Sequence, residues 1–216
     1  MSRDIRAVLW DFGGVILSSP FEAFNRYEAE RGLPRDFIRT VNTHDPDGNA
    51  WARLERSDVS IDEFDALFRE ESAALGHAVD GRDVLALLSG DVRPKMVAAL
   101  RTVARRYKTA CLTNNVLSGA GPGMARSADK AAAIADIMTI FDAVVESSKV
   151  GVRKPQPEFY RIACEMLAIE PAEAVFLDDL GINLKPAKAL GMRTIKVTDP
   201  DAALAELETH LGIDLR

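Results

Sequence analysis

The sequence predicts an α/β fold, a doubly wound parallel sheet with one helical insertion after the first strand. Three short strand-like runs carry this prediction, and each ends at a polar residue. The runs are Ala7–Trp10, Thr109–Leu112 and Val175–Leu177, and the residues that follow them are Asp11, Thr113 and Asp178. Because ligands of open α/β sheets bind beyond the carboxyl ends of the strands, we expect the functional site at this edge.

The first strand is predicted from the stretch Arg6–Ile16. Its four apolar residues Ala7–Trp10 run directly into Asp11, and Gly13 and Gly14 follow at once. This pattern predicts a buried strand that ends in a tight turn. Taken alone, the segment is equally compatible with a surface aspartate in a glycine turn.

A helical insertion is predicted after this strand. Between Pro34 and Leu88 there is no convincing strand, and Ser60–Glu63 has the pattern of a capping box before an apolar helical stripe. About 70 residues of helix is far more than a direct crossover between strands requires. We therefore predict a core domain of residues 1–18 and 89–216 and a helical domain of residues 19–88.

The other elements are predicted from helix periodicity, prolines at first helical positions and closing glycines. Between the strands, a stretch rich in Gly, Ser and Asn at 115–123 predicts a mobile loop that shapes the substrate entrance. The remaining predicted helices and strands are helices Pro20–Arg31, Arg93–Tyr107, Ser127–Met138, Pro157–Leu167, Leu184–Leu190 and Asp201–Leu211, and strands Ala143–Val145 and Arg193–Val197.

Composition excludes several classes of protein. The chain has 216 residues, 47% of them hydrophobic, which is enough for one large domain or a domain with a modest insertion. A net charge of -6 without a Lys/Arg block argues against nucleic-acid binding. No apolar run is long enough to span a bilayer and no signal sequence is recognisable, so a cytoplasmic protein without a membrane partner is expected. The two cysteines, Cys111 and Cys164, lack zinc-site spacing and are expected in the core.

The order of the polar residues resembles the haloacid dehalogenase-like hydrolase superfamily. Asp11, Thr113, Lys154 before Pro155, and the pair Asp178–Asp179 occur in that order, and the first, second and last follow strand-like runs. The segment Val175–Val197, VFLDDLGINLKPAKALGMRTIKV, is the most specific part. Together with VGVRKPQPEFY and TDPDAALAELETHLGI it is similar to the N-terminal phosphatase domains of soluble epoxide hydrolases and their bacterial relatives. The helical insertion resembles the cap domain of this superfamily.

Three carboxylates, those of Asp11, Asp178 and Asp179, are expected to converge at the sheet edge. Clustered carboxylates repel one another, so a hard divalent cation is implied, and Mg²⁺ fits best. The resemblance implies that Asp11 and Asp179 bind the metal through side-chain oxygens and Gly13 through its backbone carbonyl, with Asp178 as support. The aspartate pair is also compatible with a helix N-cap. Asn183 is compatible either with orienting an acidic side chain or with capping the next helix.

A hydroxyl, an amide and a cation are available for a phosphoryl group. Thr113 and Asn114 lie at a second strand tip, and the turn Pro155–Pro157 restrains Lys154. Phosphoryl transfer depends mostly on positioning and charge stabilisation. The resemblance implies catalytic roles for Asp11, Thr113 and Lys154, and phosphate contacts from Thr113, Lys154 and the residues Phe12, Gly13 and Asn114. It implies a phosphatase that acts on a small phosphorylated molecule through an aspartyl phosphate on Asp11.

Gly13 departs from the superfamily's pattern. Its phosphatases carry a second Asp at this position, two residues after the nucleophile, which protonates the leaving oxygen and later deprotonates water. Loss of such an acid/base typically costs about 10²- to 10⁴-fold in rate. The chain is then a slow phosphatase, acts on substrates with good leaving groups, or takes the proton from a cap residue. The titratable candidates in the cap are His44, Asp45 and Asp47.

Two other functions are compatible with Gly13. A dehalogenase of the haloacid type also lacks the second Asp, because its nucleophile attacks carbon, but the pair Asp178–Asp179 argues against it. A catalytically impaired protein that binds a phosphate or a partner would keep the metal site and lose turnover. The sequence does not predict the oligomeric state or the substrate.

Overall fold

The first apolar run of the chain forms the central strand of a five-stranded parallel sheet. The computed structural model describes residues 4–115 and 128–215. The strand order is β3-β2-β1-β4-β5, and every neighbouring pair is parallel. The strands are β1 Ala7–Trp10, β2 Lys108–Thr113, β3 Ala143–Glu146, β4 Ala174–Asp178 and β5 Arg193–Lys196. The predicted doubly wound parallel sheet is confirmed.

Eleven α-helices lie within the described residues, together with a short π-helix at Phe12–Ile16 and a 3-10 turn at Pro171–Glu173. Five lie between β1 and β2 in the predicted insertion: α1 Pro20–Glu30, α2 Phe37–Thr43, α3 Ala50–Glu55, α4 Ile61–Ala74 and α5 Gly81–Ala86. The others are α6 Pro94–Val103, α7 Ala128–Met138, α8 Ser147–Val150, α9 Pro157–Leu167, α10 Gly181–Ala189 and α11 Pro200–Leu211. Most of the predicted 115–123 loop, from residue 116 onward, lies outside the described residues.

Helix α10 begins earlier than predicted. It starts at Gly181 rather than at Leu184, and Pro186 lies inside it. Glycine and an internal proline both disfavour a helix, so the sequence pattern concealed its first turn. The carboxylate of Asp178 accepts a hydrogen bond from the backbone N–H of Leu180 at 2.8 Å, and this bond stabilises the start of the helix.

The sheet is covered on both faces, which explains its uninterrupted apolar runs. Val8 and Trp10 pack on one face with α6, α7 and α11, whereas Ala7 and Leu9 pack on the other with α9 and α10. All four residues are fully buried. Since this strand is central and buried on both sides, it fixes the position of whatever follows its carboxyl end.

The five insertion helices have a hydrophobic core of their own. Phe64 and Phe68 of α4 are fully buried in a cluster that also contains Phe24, Ile38 and Val84. The predicted capping box at the start of α4 is present, with reciprocal bonds between Ser60 and Glu63. This separate core supports the proposed division into residues 1–18 with 89–216 and residues 19–88, and we call the latter the cap.

The register of the strands brings three tips to one edge. Trp10 pairs with Cys111 of β2 and with Leu177 of β4. The backbone N–H of Asp11 continues this ladder by donating to the carbonyl of Leu177 at 2.8 Å. The residues just beyond each pairing therefore lie side by side, as expected for parallel strands.

A buried ion pair joins the cap to the core. Glu55, the last residue of α3, pairs with Arg153 of the loop before α9, and their side chains are only 8% and 11% exposed. Arg153 also donates to the carbonyl of Pro46 at 2.8 Å. Burial raises the pKa of Glu55, and the charge of Arg153 opposes that shift. The cap therefore contacts the core through a pair of charges that have little access to water.

We expect Glu55→Gln to destabilise the protein, because it leaves the Arg153 cation buried without a counter-charge. Removal of one partner of a buried pair costs about 3–5 kcal/mol. The matched control is Asp62→Asn, which removes the partner of Arg82 in an ion pair whose side chains are 82% and 60% exposed. That change should cost less than about 1 kcal/mol. Urea unfolding of both variants measures the difference.

The double variant Glu55→Gln/Arg153→Met completes this experiment. It removes both charges, so its loss of stability should be smaller than the sum of the two single losses. Strictly additive losses would contradict the ion pair as the cap-to-core contact.

Candidate active site

Asp11 lies at the centre of the candidate site. It directly follows β1 and is 7% exposed. Its Oδ1 accepts the backbone N–H of Phe12 at 2.6 Å and lies 2.8 Å from the Nζ of Lys154. Burial raises the pKa of Asp11, the charges of Asp178 and Asp179 raise it further, and Lys154 opposes the shift. The carboxylate is thus fixed in position and surrounded by charge.

Lys154 joins two of the acids. Its Nζ lies 2.8 Å from Asp11 Oδ1 and 2.8 Å from Asp178 Oδ2, and its side chain is 1% exposed. Burial alone would lower the pKa of Lys154, but the two carboxylates outweigh burial and raise that pKa above its usual value. Lys154 therefore provides a permanent positive charge on a side chain with almost no access to solvent.

Asn114 holds the backbone of Lys154. Its Oδ1 accepts the Lys154 N–H at 2.9 Å, and its Nδ2 donates to the Lys154 carbonyl at 3.0 Å. The same Nδ2 lies 3.4 Å from Oε2 of Glu55. The amide of Asn114 thus positions the lysine and reaches the cap, and the expected phosphate contact of Asn114 stays a prediction.

The two oxygens of Asp178 are both engaged by the protein. Oδ1 accepts from the Leu180 N–H at 2.8 Å and from Asn183 at 3.1 Å, and Oδ2 accepts from Asn183 at 3.0 Å and from Lys154 at 2.8 Å. Asn183 lies within α10, so it orients this acid rather than capping the helix. These bonds favour a supporting role for Asp178.

Asp179 is less constrained. Its Oδ2 accepts a hydrogen bond from Ser19 at 3.2 Å. Gly14 has a φ of +81°, and a Cβ at that position would overlap the Asp179 carboxylate. Only glycine therefore permits this approach. Burial and the charge of Asp178 raise the pKa of Asp179 to about 6, against the effect of Lys154.

The site fits a divalent cation in charge and in donor type. Asp11, Asp178 and Asp179 each offer a carboxylate oxygen, and the three atoms lie within 4.8 Å of one another. Oxygen ligands of this kind suit Mg²⁺. Three carboxylates also exceed the single cation Lys154 that lies among them, so the cluster has unbalanced negative charge.

Thr113 and the turn after Asp11 complete the predicted set. Thr113 ends β2 and is 3% exposed, and its hydroxyl makes only a long contact, 3.5 Å, with the carbonyl of Asn114. Phe12 is buried, whereas Gly13 is partly exposed, and both line the same cavity as Thr113. The structure therefore brings all nine predicted site residues to one edge of the sheet.

A cavity of about 580 Å³ opens between this edge and the cap. Asp11, Thr113, Lys154 and Asp179 line its polar end. The rest of the described lining is mainly apolar and includes Leu17, Phe21, Phe24, Trp51, Leu88, Leu180 and Ile182, although the cap also contributes the polar residues Arg39, Asn42, Thr43, Asp47 and Glu55. A phosphate at the acids would thus place the rest of a substrate against an apolar wall.

The cap candidates for proton transfer are not equivalent. Asp47 lines the cavity, whereas His44 and Asp45 are exposed and are not among the described residues of its lining.

The sequence patterns did not identify Glu55, Arg153 and Ser19 as residues of the site. Arg153 directly precedes Lys154 in the motif, but Glu55 gave no signal beyond its apolar neighbours in α3.

Within the described part of the chain, no helix combines the length and apolarity needed to cross a membrane. The free cysteines Cys111 and Cys164 are buried, as expected for core residues. Neither cysteine is among the described residues that line the cavity.

A known protein family and individual known proteins are similar in sequence to this chain. The family model "haloacid dehalogenase-like hydrolase" matches residues 5–191. Mouse acyl-CoA dehydrogenase family member 10 is 32% identical over 99% of this chain and 20% of its own length. Pig bifunctional epoxide hydrolase 2 is 31% identical over 98% of this chain and 40% of its own length. The chain thus spans less than half of the length of these two relatives.

A solved structure has the same fold. It is a haloacid dehalogenase family enzyme from Bacteroides thetaiotaomicron, in complex with magnesium and inorganic phosphate. The TM-score is 0.58 at 21% identity, over 89% of this chain and 93% of the other. This likeness shows the shared fold, and the family match over residues 5–191 shows that the chain belongs to the haloacid dehalogenase-like hydrolases.

Proposed function

We propose that the protein is a Mg²⁺-dependent phosphatase that hydrolyses a small phosphorylated molecule through an aspartyl phosphate on Asp11. The observation that carries the proposal is the position of Lys154, which lies between two carboxylates beside a third at the polar end of the cavity. A cation and excess carboxylates at one point suit a metal-assisted phosphoryl transfer.

In the proposed reaction, an oxygen of Asp11 attacks phosphorus. A bond forms between this oxygen and phosphorus, and the bond from phosphorus to the leaving oxygen breaks. Water then attacks phosphorus, inorganic phosphate departs and the Asp11 carboxylate is regenerated. Lys154 stabilises charge on the transferring group, Thr113 and the backbone of Phe12 and Gly13 contact its oxygens, and Asn114 positions Lys154 besides its proposed phosphate contact.

The proposed metal ligands are the side chains of Asp11 and Asp179 and the backbone carbonyl of Gly13. Asp178 and Asn183 support them, because both oxygens of Asp178 are engaged by protein donors. When bound, Mg²⁺ supplies positive charge to the phosphoryl oxygens. Gly14 permits the approach of Asp179, and Ser19 holds one of its oxygens.

A haloacid-type dehalogenase is the second candidate, and Gly13 is the observation that favours it. An attack on carbon that expels halide needs no proton on the leaving group. The acidic cluster argues against this function, because such a reaction has no need of a divalent cation. A phosphate-binding protein without turnover is the non-catalytic alternative.

We expect Mg²⁺-dependent release of inorganic phosphate from a panel of phosphate esters, and loss of that release in Asp11→Asn. The amide cannot serve as the nucleophile, so the rate should fall to background. The matched control is Asp201→Asn on α11, an exposed aspartate paired with Lys95 outside the site. Halide release from a 2-haloacid in EDTA, with no phosphate release from any ester, would instead establish the dehalogenase.

We expect Asp179→Asn to weaken Mg²⁺ binding, because it removes one of the two proposed charged ligands. Isothermal titration calorimetry with Mg²⁺ alone measures this affinity independently of turnover. Loss of even an outer-shell partner of a metal site typically costs about 10- to 100-fold in affinity, so the loss here should be at least that large. Unchanged affinity in Asp179→Asn, with circular dichroism like that of the native protein, would exclude Asp179 as a ligand.

A further inference from the structure

Among the side chains that the structure describes, none that lines the cavity is held in a position to protonate a leaving oxygen. Its described ionisable lining residues are Asp11, Arg39, Asp47, Glu55, Arg153, Lys154 and Asp179. Residues 1–3, 116–127 and 216, which the structure does not describe, contain no Asp, Glu or His. Apart from the side chain of Glu22, which also lies outside the described set, every carboxyl and imidazole side chain of the chain lies in the described part.

Most of these groups are committed to other contacts. Lys154 is held by Asp11 and Asp178, and Glu55 is paired with Arg153. Arginine does not release its proton in proteins. Asp11 is the proposed nucleophile and Asp179 a proposed metal ligand, so neither is free to donate.

Arg39 and Asp47 line the cap side of the cavity. Arg39 lies over the ring of Phe21, with its Cζ 4.0 Å from the ring centroid. Since it is an arginine, it does not release a proton to a leaving group. Asp47 is exposed in the loop after α2, and the structure gives its side chain no hydrogen bond to another described residue that would aim it at Asp11.

Gly13 lies at the wall of the cavity, two residues after Asp11 in the chain. Its φ of -71° and ψ of 131° suit any L-amino acid, and a Cβ built there would meet no atom within 4 Å. The backbone conformation and the surrounding space therefore permit a side chain at this position. The position lacks an acidic group only because the residue is glycine.

The absence of an acid restricts the leaving group. When the bond between phosphorus and the leaving oxygen breaks, that oxygen departs with the bonding pair of electrons. An alcohol needs a proton at this moment, whereas a carboxylate, enolate or phenolate is stable as an anion. A positioned acid is worth about 10²- to 10⁴-fold in rate, so its absence penalises alcohols selectively.

We propose that the substrates of this site are phosphorylated compounds whose leaving oxygen departs as a stable anion, the class of acyl, enol and aryl phosphates. This inference rests on the proposed phosphatase function and narrows it. Asp11 attacks phosphorus, the leaving group takes the electron pair without a proton, and water then releases inorganic phosphate from Asp11. The proton lost by that water passes to solvent or to phosphate.

The test is the dependence of kcat/KM on the acidity of the leaving group. With Mg²⁺ bound, the wild-type protein is assayed with substituted phenyl phosphates, from 2,4-dinitrophenyl phosphate to phenyl phosphate, and with an alkyl phosphate. We expect log kcat/KM to fall steeply as the leaving group becomes less acidic, with the alkyl ester slowest. This measurement needs no variant.

Gly13→Asp supplies the missing acid, and Gly13→Asn is its matched control of equal size. The aspartate variant should raise kcat/KM for the alkyl ester relative to the dinitrophenyl ester by about 10²-fold or more. The asparagine variant should keep the wild-type slope, because an amide does not donate a proton as an acid. If Gly13→Asp raises the rate with the alkyl ester and Gly13→Asn does not, the carboxyl group of the new aspartate acts as a proton donor.

Different outcomes overturn different conclusions. A shallow slope in the wild-type protein, with an alkyl ester cleaved as readily as an aryl ester, overturns the inference and leaves the phosphatase function standing. No phosphate release from any ester, the dinitrophenyl ester included, overturns the phosphatase function itself.

Discussion

The site depends on one buried cation. Lys154 lies between Asp11 and Asp178, with its Nζ 2.8 Å from an oxygen of each. A charge without water is costly unless it is paired, so this arrangement fixes the positions of all three side chains. The acids remain in excess, since Asp179 is a third carboxylate beside a single lysine. Burial and mutual repulsion raise the pKa values of Asp11 and Asp179, and a divalent cation relieves the same imbalance that a proton would.

Two adjacent glycines have different physical roles. Gly14 adopts a positive φ and leaves room for the Asp179 carboxylate, so a side chain there would displace a proposed metal ligand. Gly13 has an ordinary backbone conformation and open space around it. Backbone conformation and packing require glycine at position 14 but not at position 13. The identity of residue 13 is therefore not set by space or backbone conformation, and in the proposed reaction it separates binding of a phosphoryl group from protonation of its leaving group.

The cap is connected to the catalytic edge through a continuous set of polar contacts. Glu55 of the cap pairs with Arg153 and lies 3.4 Å from the amide of Asn114. That amide holds both backbone groups of Lys154. The position of the cap and the position of the lysine are thus coupled through shared contacts.

The sequence by itself determined the fold class, the central strand and the residues at the strand tips. These follow from local patterns: an apolar run that ends at Asp11, a capping box at Ser60, and a Lys-Pro motif at 154–155. Parallel strands must gather their tips at one edge, so the convergence of the acids was also predictable.

Only the tertiary structure decided how these residues divide their roles. Glu55 and Arg153 are 98 positions apart in the chain, so no local pattern indicates their pairing. The saturation of Asp178 by Lys154, Asn183 and Leu180 and the use of the Asn114 amide to hold Lys154 depend on distances between separate elements. Periodicity and turn residues give information about neighbours along the chain. The hydrogen bonds and the burial of a site residue are set instead by packing between elements that are distant in sequence.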